Sequence, residues 1–493
     1  MHKPRLVAAA AGGQAPFVSL GLKRKRMSER DLEADYVVVG AGAVAMAFAD
    51  TLLSDSDASM VLVDRRHKPG GLWNDAYPFV RLHGPSAYYG VNSHALGSDC
   101  IDQTGLNRGL YELATGAEIC AYFDQVMRQR FLPSGRVHYL PLSDFGDGGV
   151  VTSRVSGVRT RVRARKKLVD ATFADTRLPA TDPPAFSVAA GVRCVSPNAL
   201  AQIAEPAAGF VIIGAGKTAM DTAVWLLDQG ADPAAITWIR PRDAWLLNRK
   251  NVQPKYDFFA QTFGARAMEM ESARDAASIE DLFARLEAAS LLQRIDRSVT
   301  PSMFRCAIAS EAELEQLRRI GNVVRLGHVK AIEPDRIVLE SGVIPTSPGH
   351  VHIHCSADGI PNRPSVPIFQ GERIVLQYVR RCSPTFSGAF VAHLEATLAD
   401  DADKNALCTP VPAPNVPLDW LRMQLQDAGN YTAWSKSDAL KTWLKDARLE
   451  RFSGMLARAV EEASPEKIAV LDRLRAATKP GLARLAELME RAA

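Results

Sequence analysis

The sequence predicts an α/β protein with two Rossmann-like dinucleotide-binding domains and a helical C-terminal segment. A short apolar strand, a glycine turn and a helix follow one another at 35–53 and again at 210–227. Each copy is followed by a second strand, at 60–64 and 236–240. Such a unit holds the pyrophosphate of a dinucleotide at the start of its helix. Beyond the prolines of 407–417 the pattern is helical. Two copies of the unit predict two dinucleotides in one chain.

Length and composition fit a globular protein. The 493 residues suit two or three domains, and the hydrophobic share of 47% and the charged share of 23% are ordinary. No apolar run reaches the length of about 18 residues that a membrane span needs, so we expect none. The net charge of +4 arises in the first 26 residues, which hold six of the 59 basic residues and no acidic one. The other 53 basic residues nearly balance the 55 acidic ones, so nucleic-acid binding is not expected.

The N-terminal residues are set apart by their charge. Residues 1–34 are predicted to form a basic leader without fixed structure, because the KRKR cluster follows a stretch with glycines, a proline and no periodic pattern. Two alternatives stay open, namely a protein whose true first residue is Met27 and an organelle-targeting peptide.

The seven cysteines are scattered and form no C-x-x-C pair. This spacing predicts reduced thiols and a cytoplasmic protein. It provides neither the redox-active dithiol of a disulfide reductase nor a zinc site, so no metal is expected.

The first unit, DYVVVGAGAVAMAFAD followed by MVLVDRR, is the more complete one. Gly40, Gly42 and Ala45 form a G-x-G-x-x-A turn, in which the glycines permit a tight turn and close approach of the backbone to the phosphates. Asp64 ends the second strand, where a carboxylate accepts hydrogen bonds from ribose hydroxyl groups. The neighbouring positions counted with this site are Ala41, Ala43 and Arg65. A glycine-rich turn in some other α/β unit is the alternative.

The stretch 65–93 adds a Gly-Gly-x-Trp turn and several further matches to one family. The matching residues are Gly70, Gly71, Trp73, Asn74, Tyr77, Pro78, Arg81, Ser86 and Tyr89. Together with the first unit, they resemble the class B flavoprotein monooxygenases, which comprise the flavin-containing and the Baeyer–Villiger monooxygenases. The resemblance implies FAD in the first unit, with Gly70, Gly71, Trp73 and Ser86 beside it.

The resemblance also suggests where the reacting end of the flavin lies. Arg81, His83 and Asn92 are the candidates for catalytic contact with it. His83 stands where Baeyer–Villiger enzymes carry Asp, and Phe79 stands where the family has Gly. For His83 a hydrogen-bonded structural role is an equal alternative.

Two later stretches match the family in part. Ala171 and Thr172 match its A-T-G strand end, where the chain crosses between domains over the flavin, although Phe173 replaces the Gly. Between the units the family carries F-x-G-x-x-x-H. Here 186–200 has Phe186, a shifted glycine and no His. The cofactors therefore follow from the resemblance more firmly than the insertion of oxygen.

The second unit differs from the first in the residue that ends its second strand. Gly214, Gly216 and Ala219 repeat the turn, with Lys217 and Thr218 at the start of the helix. Arg240, followed by Arg242, stands where the first unit has Asp64. An acid there suits a free ribose hydroxyl, whereas arginine suits a 2′-phosphate, so NADPH is predicted rather than NADH. The alternatives are a solvent-exposed Lys217 and two arginines that only end a strand.

Family architecture implies that the nucleotide domain interrupts the FAD domain. The predicted parts are 35–205 for the first part of the FAD domain, 206–345 for the NADP domain with a helical insertion, 346–405 for the FAD return segment and 406–493 for the helical region.

Within these parts, helices are predicted at 107–132 and over most of 256–318, and strands between 137 and 169. The strand at 350–354 is expected to return to the FAD domain, which places Asp358 near a cofactor.

These observations predict an FAD-dependent oxidoreductase reduced by NADPH. The resemblance implies a monooxygenase-like enzyme that uses molecular oxygen on a small organic substrate. The alternatives are an FAD-dependent reductase or dehydrogenase without oxygen insertion, and a flavoprotein kept as a redox-sensing module. The sequence names neither the substrate nor the oligomeric state.

Overall fold

Strands and helices alternate along residues 30–361 and 363–492, which the computed structural model describes. The strands are β1 (Arg30–Val39), β2 (Met60–Val63), β3 (Val137–Leu140), β4 (Ser143–Gly146), β5 (Val150–Ser153), β6 (Arg159–Asp170), β7 (Ser187–Val188), β8 (Cys194–Val195), β9 (Gly209–Ile213), β10 (Ile236–Ile239), β11 (Ala244–Asn248), β12 (Leu292–Gln293), β13 (Met303–Ala309), β14 (Asn322–Val324), β15 (Val329–Ile332), β16 (Arg336–Leu339), β17 (Gly342–Pro345), β18 (His350–His354), β19 (Phe369–Gln370) and β20 (Arg373–Val375).

The helices follow the same chain order. They are α1 (Ala43–Asp55), α2 (Gly116–Val126), α3 (Pro197–Leu200), α4 (Lys217–Asp228), α5 (Phe259–Asp275), α6 (Ile279–Ala288), α7 (Glu311–Leu317), α8 (Pro384–Thr397), α9 (Asp401–Leu407), α10 (Pro417–Trp434), α11 (Asp438–Asp446), α12 (Ser453–Glu462) and α13 (Pro465–Ala492). Among the residues that the structure describes, no helix has the length and apolar character to cross a membrane.

The first sheet is built around β1. Its strand order is β19-β20-β6-β1-β2-β3, and β5 joins β4 to β6 at its side. β1 is parallel to β2 and β6. The helices α1 and α8 pack together against this sheet, and a Cβ on Gly388 of α8 would collide with the carbonyl oxygen of Val44. Small residues on both helices therefore allow α8 to begin close to the start of α1.

The second sheet repeats this arrangement around β9. Its strand order is β14-β10-β9-β18-β8, and its strand pairs are parallel. We call β1–α1–β2 the first unit and β9–α4–β10 the second unit. The predicted fold class, with two Rossmann-like units and a helical C-terminal region, is confirmed.

The expected return strand at 350–354 is wrong. These residues form β18, which pairs with β9 inside the second sheet. The strand that returns to the first sheet is β20, which lies parallel to β6. β18 occupies beside β9 the place that β6 occupies beside β1, so the second unit needs this strand to complete its own sheet. The return to the first sheet consequently begins after 354 rather than at 346.

Three other boundaries differ from the sequence predictions. β1 begins at Arg30 rather than near 35, because residues 30–34 pair with residues 160–164 of β6; the rest of the predicted leader lies outside the described residues. α2 begins at 116, after a capping box of Thr115 with Glu118, and not at 107. The stretch 256–318 contains the strands β12 and β13 between its helices.

The C-terminal helices α10 to α13 follow the proline stretch, as predicted. The last of them begins at Pro465 and packs along α5 of the insertion, where Gly481 lies against the backbone of Met270. The C-terminal helical region therefore packs on the insertion that contains α5.

Candidate functional site

The first glycine turn, Gly40 to Gly42, is packed closely against the Gly-Gly turn that follows β2. Gly40 has φ +103°, and Gly42 caps α1 with no side-chain hydrogen bond. The backbone N–H of Gly70 donates to the carbonyl oxygen of Ala41 at 2.9 Å. A Cβ on Gly71 would lie 2.7 Å from the Cα of Gly42. The predicted Gly-Gly turn is thus folded onto the glycine turn, beside the free N–H groups of the first turn of α1.

Asp64 is fixed beneath this turn. Its side chain is buried, and its two oxygens accept hydrogen bonds from the N–H groups of Ala41 at 2.6 Å and Arg66 at 2.7 Å. Each carboxylate oxygen has a second lone pair, so Asp64 can still accept hydrogen bonds from the hydroxyl groups of a ribose. Arg65, next to it, is exposed.

Tyr139 joins Asp64 at this end of the first sheet. Its hydroxyl is buried and has no hydrogen-bond partner among the described residues. Burial, and next the charge of Asp64, raises the pKa of this tyrosine. A buried polar atom without a partner is costly, so a ligand that supplies one is favoured here. Sequence reasoning missed Tyr139, because a tyrosine in a strand gives no signal of its own.

The other side chains predicted near the flavin hold the loop together. The indole N–H of Trp73 donates to the hydroxyl of Tyr89 at 2.8 Å. The hydroxyl of Ser86 donates to the carbonyl of Glu112 and accepts from the N–H of Ala114, so its bonds are made within the chain. Ala171 and Thr172 pack against Gly40, and the Thr172 hydroxyl donates to Asp170 at 2.7 Å.

Phe79 explains one departure from the family pattern. Its ring stacks on Trp225 of α4, with centroids 4.8 Å apart. The neighbouring Tyr77 hydroxyl donates to Asp221 of the same helix at 2.7 Å. An aromatic side chain in place of the family's glycine therefore docks this loop onto the second unit.

His83 lies where the two units meet. Its Nδ1 accepts a hydrogen bond from the N–H of Ile308 at 3.1 Å, and its carbonyl accepts from Nε of Arg249 at 2.9 Å. Removal from water first, and then the charges of Lys217 and Arg249, lower the pKa of His83 to about 3. The imidazole is therefore neutral near pH 7. Because Nδ1 accepts, its proton is on Nε2.

Arg81 and Asn92 do not join His83 in the described contacts. Arg81 is exposed and donates to the carbonyl of Leu113 at 3.2 Å. Asn92 accepts from the N–H of Leu449 at 3.1 Å and reaches Thr51 of α1 with its amide nitrogen. Asn92 thus fastens the C-terminal region to the first unit, and the three candidates for catalytic contact do not bond to one another among the described residues.

The second glycine turn, Gly214 to Gly216, repeats the features of the first. Gly214 has φ +132°, and a Cβ there would lie 2.7 Å from the carbonyl oxygen of Cys355, just after β18. Gly216 caps α4 without a side-chain hydrogen bond. Ala219 is fully buried, which allows the close packing expected of the turn.

Lys217 and Thr218 start α4. Lys217 forms an ion pair with Asp221, one helical turn along. The backbone carbonyl of Thr218 accepts the hydroxyl of Thr222 at 2.8 Å. Asp221 also accepts the Tyr77 hydroxyl, so it holds Lys217 and the loop from the first unit at the same place.

Arg240 is buried at the carboxyl end of β10. The residue is only 2% exposed, and it pairs with Asp243 at 3.2 Å. Its guanidinium lies 4.8 Å from the centre of the Trp238 ring. Its Nε and Nη1 have no hydrogen-bond partner among the described residues. Burial lowers the pKa of Arg240 from its ordinary value.

Arg325 follows the neighbouring strand β14 and shares this edge of the sheet. It pairs with Asp243 at 2.7 Å and with Asp296 at 2.7 Å. Arg240 and Arg325 line one cavity of about 530 Å³. The charged residues that line it are Arg240, Asp296, Arg297, Arg318 and Arg325. Four cations against one lining carboxylate make the cavity suited to an anion.

Arg242 and Asp358 contact other groups. Arg242 donates to Asn415 at 3.2 Å, and Asp358 pairs with Arg305 at 3.0 Å. The structure therefore brings Arg240 together with Arg325 and not with Arg242, contrary to the sequence prediction. Asp358 follows β18 and therefore lies beside the second sheet, whereas the sequence prediction placed it with the strand returning to the FAD domain.

Two arginines near His83, one buried and one half-buried, carry no signal in the sequence. Arg249 is fully buried and pairs with Glu313 at 2.7 Å. Arg451, from the C-terminal region, lies 5.0 Å from the centre of the Tyr88 ring, and its Nε is buried without a hydrogen-bond partner among the described residues. Burial lowers the pKa of Arg451 to about 10.

The expectation of reduced thiols is wrong for two cysteines. Cys306 and Cys382, 76 residues apart, form a disulfide with Cα atoms 6.4 Å apart. The sequence could not reveal this pair, since spacing along the chain does not encode which distant cysteines meet. Among the described residues, no group of three or more His, Cys, Asp or Glu side chains is arranged to hold a metal ion.

The residues present fit two dinucleotides. Each helix start lacks a side-chain cap and lies beside a glycine, Gly71 or Gly214, at which a Cβ would collide with the backbone. The fixed Asp64 beside the unpartnered Tyr139 hydroxyl suits a cofactor without a 2′-phosphate, and the unpartnered nitrogens of Arg240 suit one with it.

Comparison with known proteins places the chain among relatives in mycobacteria. It is 49% identical over 428 residues to the uncharacterized protein Rv2000 of Mycobacterium tuberculosis, which covers 87% of this chain and 79% of the relative. The same values hold for the uncharacterized protein Mb2023 of Mycobacterium bovis. The chain belongs to the family of these proteins. No family model matches it.

Solved flavoprotein monooxygenases resemble the chain at lower similarity. The polycyclic ketone monooxygenase of the thermophilic fungus Thermothelomyces thermophila is 12% identical, with 90% of each chain covered and a TM-score of 0.49. An oxidized steroid monooxygenase bound to NADP is 15% identical, with 74% of this chain and 85% of that chain covered and a TM-score of 0.49. At these values the likeness carries no functional argument, which is left to the residues of this chain.

Proposed function

We propose that this chain is an FAD-dependent oxidoreductase that takes its electrons from NADPH. One observation supports this most directly, namely the presence of two strand–glycine turn–helix units whose second strands end in opposite charges, Asp64 and Arg240. The loop that carries His83 docks on α4 of the second unit through Tyr77 and Phe79, so two bound dinucleotides would bring their reactive ends towards one place.

The first unit would hold FAD. The glycine turn and the N–H groups at the start of α1 would bind its pyrophosphate, and Asp64 would accept the ribose hydroxyls. Gly70, Gly71 and Trp73 would cover this region from the loop that docks on α4. Bound FAD supplies the redox chemistry, and the chain's task is to position and shield it.

The second unit would hold NADPH. Its 2′-phosphate would lie in the cavity lined by Arg240 and Arg325, because both residues follow the carboxyl ends of adjacent parallel strands. Lys217 would face the pyrophosphate from the start of α4, held there by Asp221. Neither role needs Arg242.

Around the meeting point, the chain offers a neutral imidazole among cations. His83 would donate a hydrogen bond from Nε2, and the ring would stay neutral across the neutral pH range, because with a pKa of about 3 it gains no second proton there. Arg451 and Lys217 add positive charge nearby, which favours electron-rich or anionic groups at this place.

The substrate we propose is a small organic molecule, with molecular oxygen as co-substrate in a monooxygenase-like reaction in the cytoplasm. A reductase that inserts no oxygen is the second candidate, and the missing fingerprint histidine together with the Cys306–Cys382 disulfide favours it. A redox-sensing flavoprotein is the third candidate.

Spectroscopy of the purified protein tests the proposal. The protein should be yellow, should release FAD on denaturation, and should lose its flavin absorbance when NADPH is added without oxygen. Oxygen-dependent consumption of NADPH would then separate the monooxygenase from the reductase. A chain that binds no flavin under gentle purification would contradict the proposed function.

A further inference from the structure

The Cys306–Cys382 disulfide joins two parts of the chain that follow the two units. Cys306 belongs to β13, which pairs with β11 in a three-stranded sheet after the second unit. Cys382 lies between β20 of the first sheet and the start of α8. The bond therefore links this small sheet to the segment that leads into α8, which the sequence patterns give no reason to expect.

Each cysteine lies a few residues from a contact described above. On one side, Cys382 comes just before α8, whose Gly388 packs against Val44 in the first turn of α1. On the other side, Cys306 is two residues before Ile308, whose N–H donates to His83. His83 in turn is close enough to Lys217 of the second turn to feel its charge.

The backbone is shaped to present these two sulfurs. Cys306 has φ +53° and Cys382 has φ +49°, a conformation that side chains other than glycine rarely adopt. In addition, the pairing of β13 with β11 shifts register between Phe304 and Ile308, so a bulge carries Cys306 out of the strand. Strained residues and bulges persist mostly where surrounding structure imposes them for function.

External thiols have little access to this disulfide. Cys306 is 7% exposed, and Cys382 is half-buried against Met423. Thiol–disulfide exchange requires attack in line with the sulfur–sulfur bond, which burial hinders. A reductant bound inside the protein has no such barrier.

We propose that the Cys306–Cys382 pair is a redox-active centre that accepts two electrons from NADPH by way of the bound flavin. The proposal rests on the function proposed above. The C–H bond at the nicotinamide and the S–S bond break, and two S–H bonds form. NADPH gives two electrons and one proton, solvent gives the second proton, and the net change is NADPH + H⁺ + disulfide → NADP⁺ + two thiols. The flavin ends in the state in which it began.

Counting thiols tests the proposal in the complete protein. Protein purified in air, with FAD bound, is mixed with NADPH without oxygen, quenched in acid, denatured and alkylated for mass spectrometry. Of the seven cysteines, five are outside the disulfide, so we expect five labelled thiols before NADPH and seven after it. A titration should consume about two equivalents of NADPH, one for the flavin and one for the pair.

Two variants provide the comparison. Cys382→Ser should consume about one equivalent and show no NADPH-dependent change in thiol number. Cys100→Ser removes an exposed free thiol and should still gain two thiols and consume about two equivalents.

The outcomes separate this proposal from the proposed function. Five thiols after NADPH has bleached the flavin would show a bond with a structural role only and would overturn the redox role alone. Seven thiols before NADPH would also overturn it. If NADPH does not bleach the flavin, the proposed function fails, and photoreduction of the flavin with EDTA then decides whether the pair accepts electrons.

Discussion

The choice between NADPH and NADH gives the most exacting test of the cofactor assignment. The change is Arg240→Ala, which removes a guanidinium that is 2% exposed and has two nitrogens without partners among the described residues. A phosphate in the adjoining cavity could accept a hydrogen bond from either nitrogen. The replacement should leave the fold intact, because Asp243 keeps its pairing with Arg325 at 2.7 Å.

The expected loss of affinity for NADPH follows from the hydrogen bonds that Arg240 would donate to the 2′-phosphate. A charge-assisted hydrogen bond contributes about 1.5–3 kcal/mol, which corresponds to about 10- to 100-fold in affinity. The wild type should therefore bind NADPH at least about tenfold more tightly than NADH, and Arg240→Ala should lose most of this preference. Arg325→Ala should lose less, because two nitrogens of Arg325 are already engaged by Asp243 and Asp296.

The assay is stopped-flow reduction of bound FAD over a range of NADPH and NADH concentrations. Arg242→Ala is the matched control, since Arg242 contacts Asn415 and should leave the preference unchanged. Equal use of both coenzymes by the wild type would refute the role of Arg240. A preference that disappears in Arg242→Ala but survives in Arg240→Ala would refute the assignment of the cavity.

The other predictions concern flavin binding, the turn, pH and the N-terminus. Asp64→Ala should lose FAD while keeping its far-UV circular dichroism, because the carboxylate contributes the ribose contact; full flavin content would contradict this. Gly71→Ala should lower both flavin content and melting temperature, since its Cβ would lie 2.7 Å from a backbone atom, whereas Gly105→Ala, also at positive φ but with nothing within 4 Å, should cost only about 1 kcal/mol. The pKa of His83 is about 3 in the folded chain and 6.5 when free, so the unfolded chain binds the proton first and the free energy of unfolding should fall as pH drops from about 6.5 towards 3. In denaturant unfolding, His83→Gln should show a weaker pH dependence over this range. A pH profile equal to that of the wild type would refute the assignment. A chain that starts at Met27 should keep flavin content and melting temperature, and a clear loss of either would show that the leader is needed.

Local patterns in the sequence determine much of the fold. The apolar residues of β1 and β9, the glycines after them and the helices α1 and α4 lie within short stretches of chain, so sequence alone predicts them. The opposite charges of Asp64 and Arg240 also follow directly, because each residue ends a strand whose place in its unit is fixed. The helical C-terminal region is predicted for the same reason, since its pattern is local to the residues after the prolines.

Only the tertiary structure decided which distant residues meet. The strand at 350–354 alternates histidine with apolar residues, a pattern that suits a strand of either sheet, and its pairing with β9 depends on space beside that strand. Arg325 joins Arg240 because β14 lies next to β10, and Cys306 meets Cys382 across 76 residues. Such contacts depend on how whole strands and helices pack against one another, and the periodicity of residues along the chain does not specify that packing.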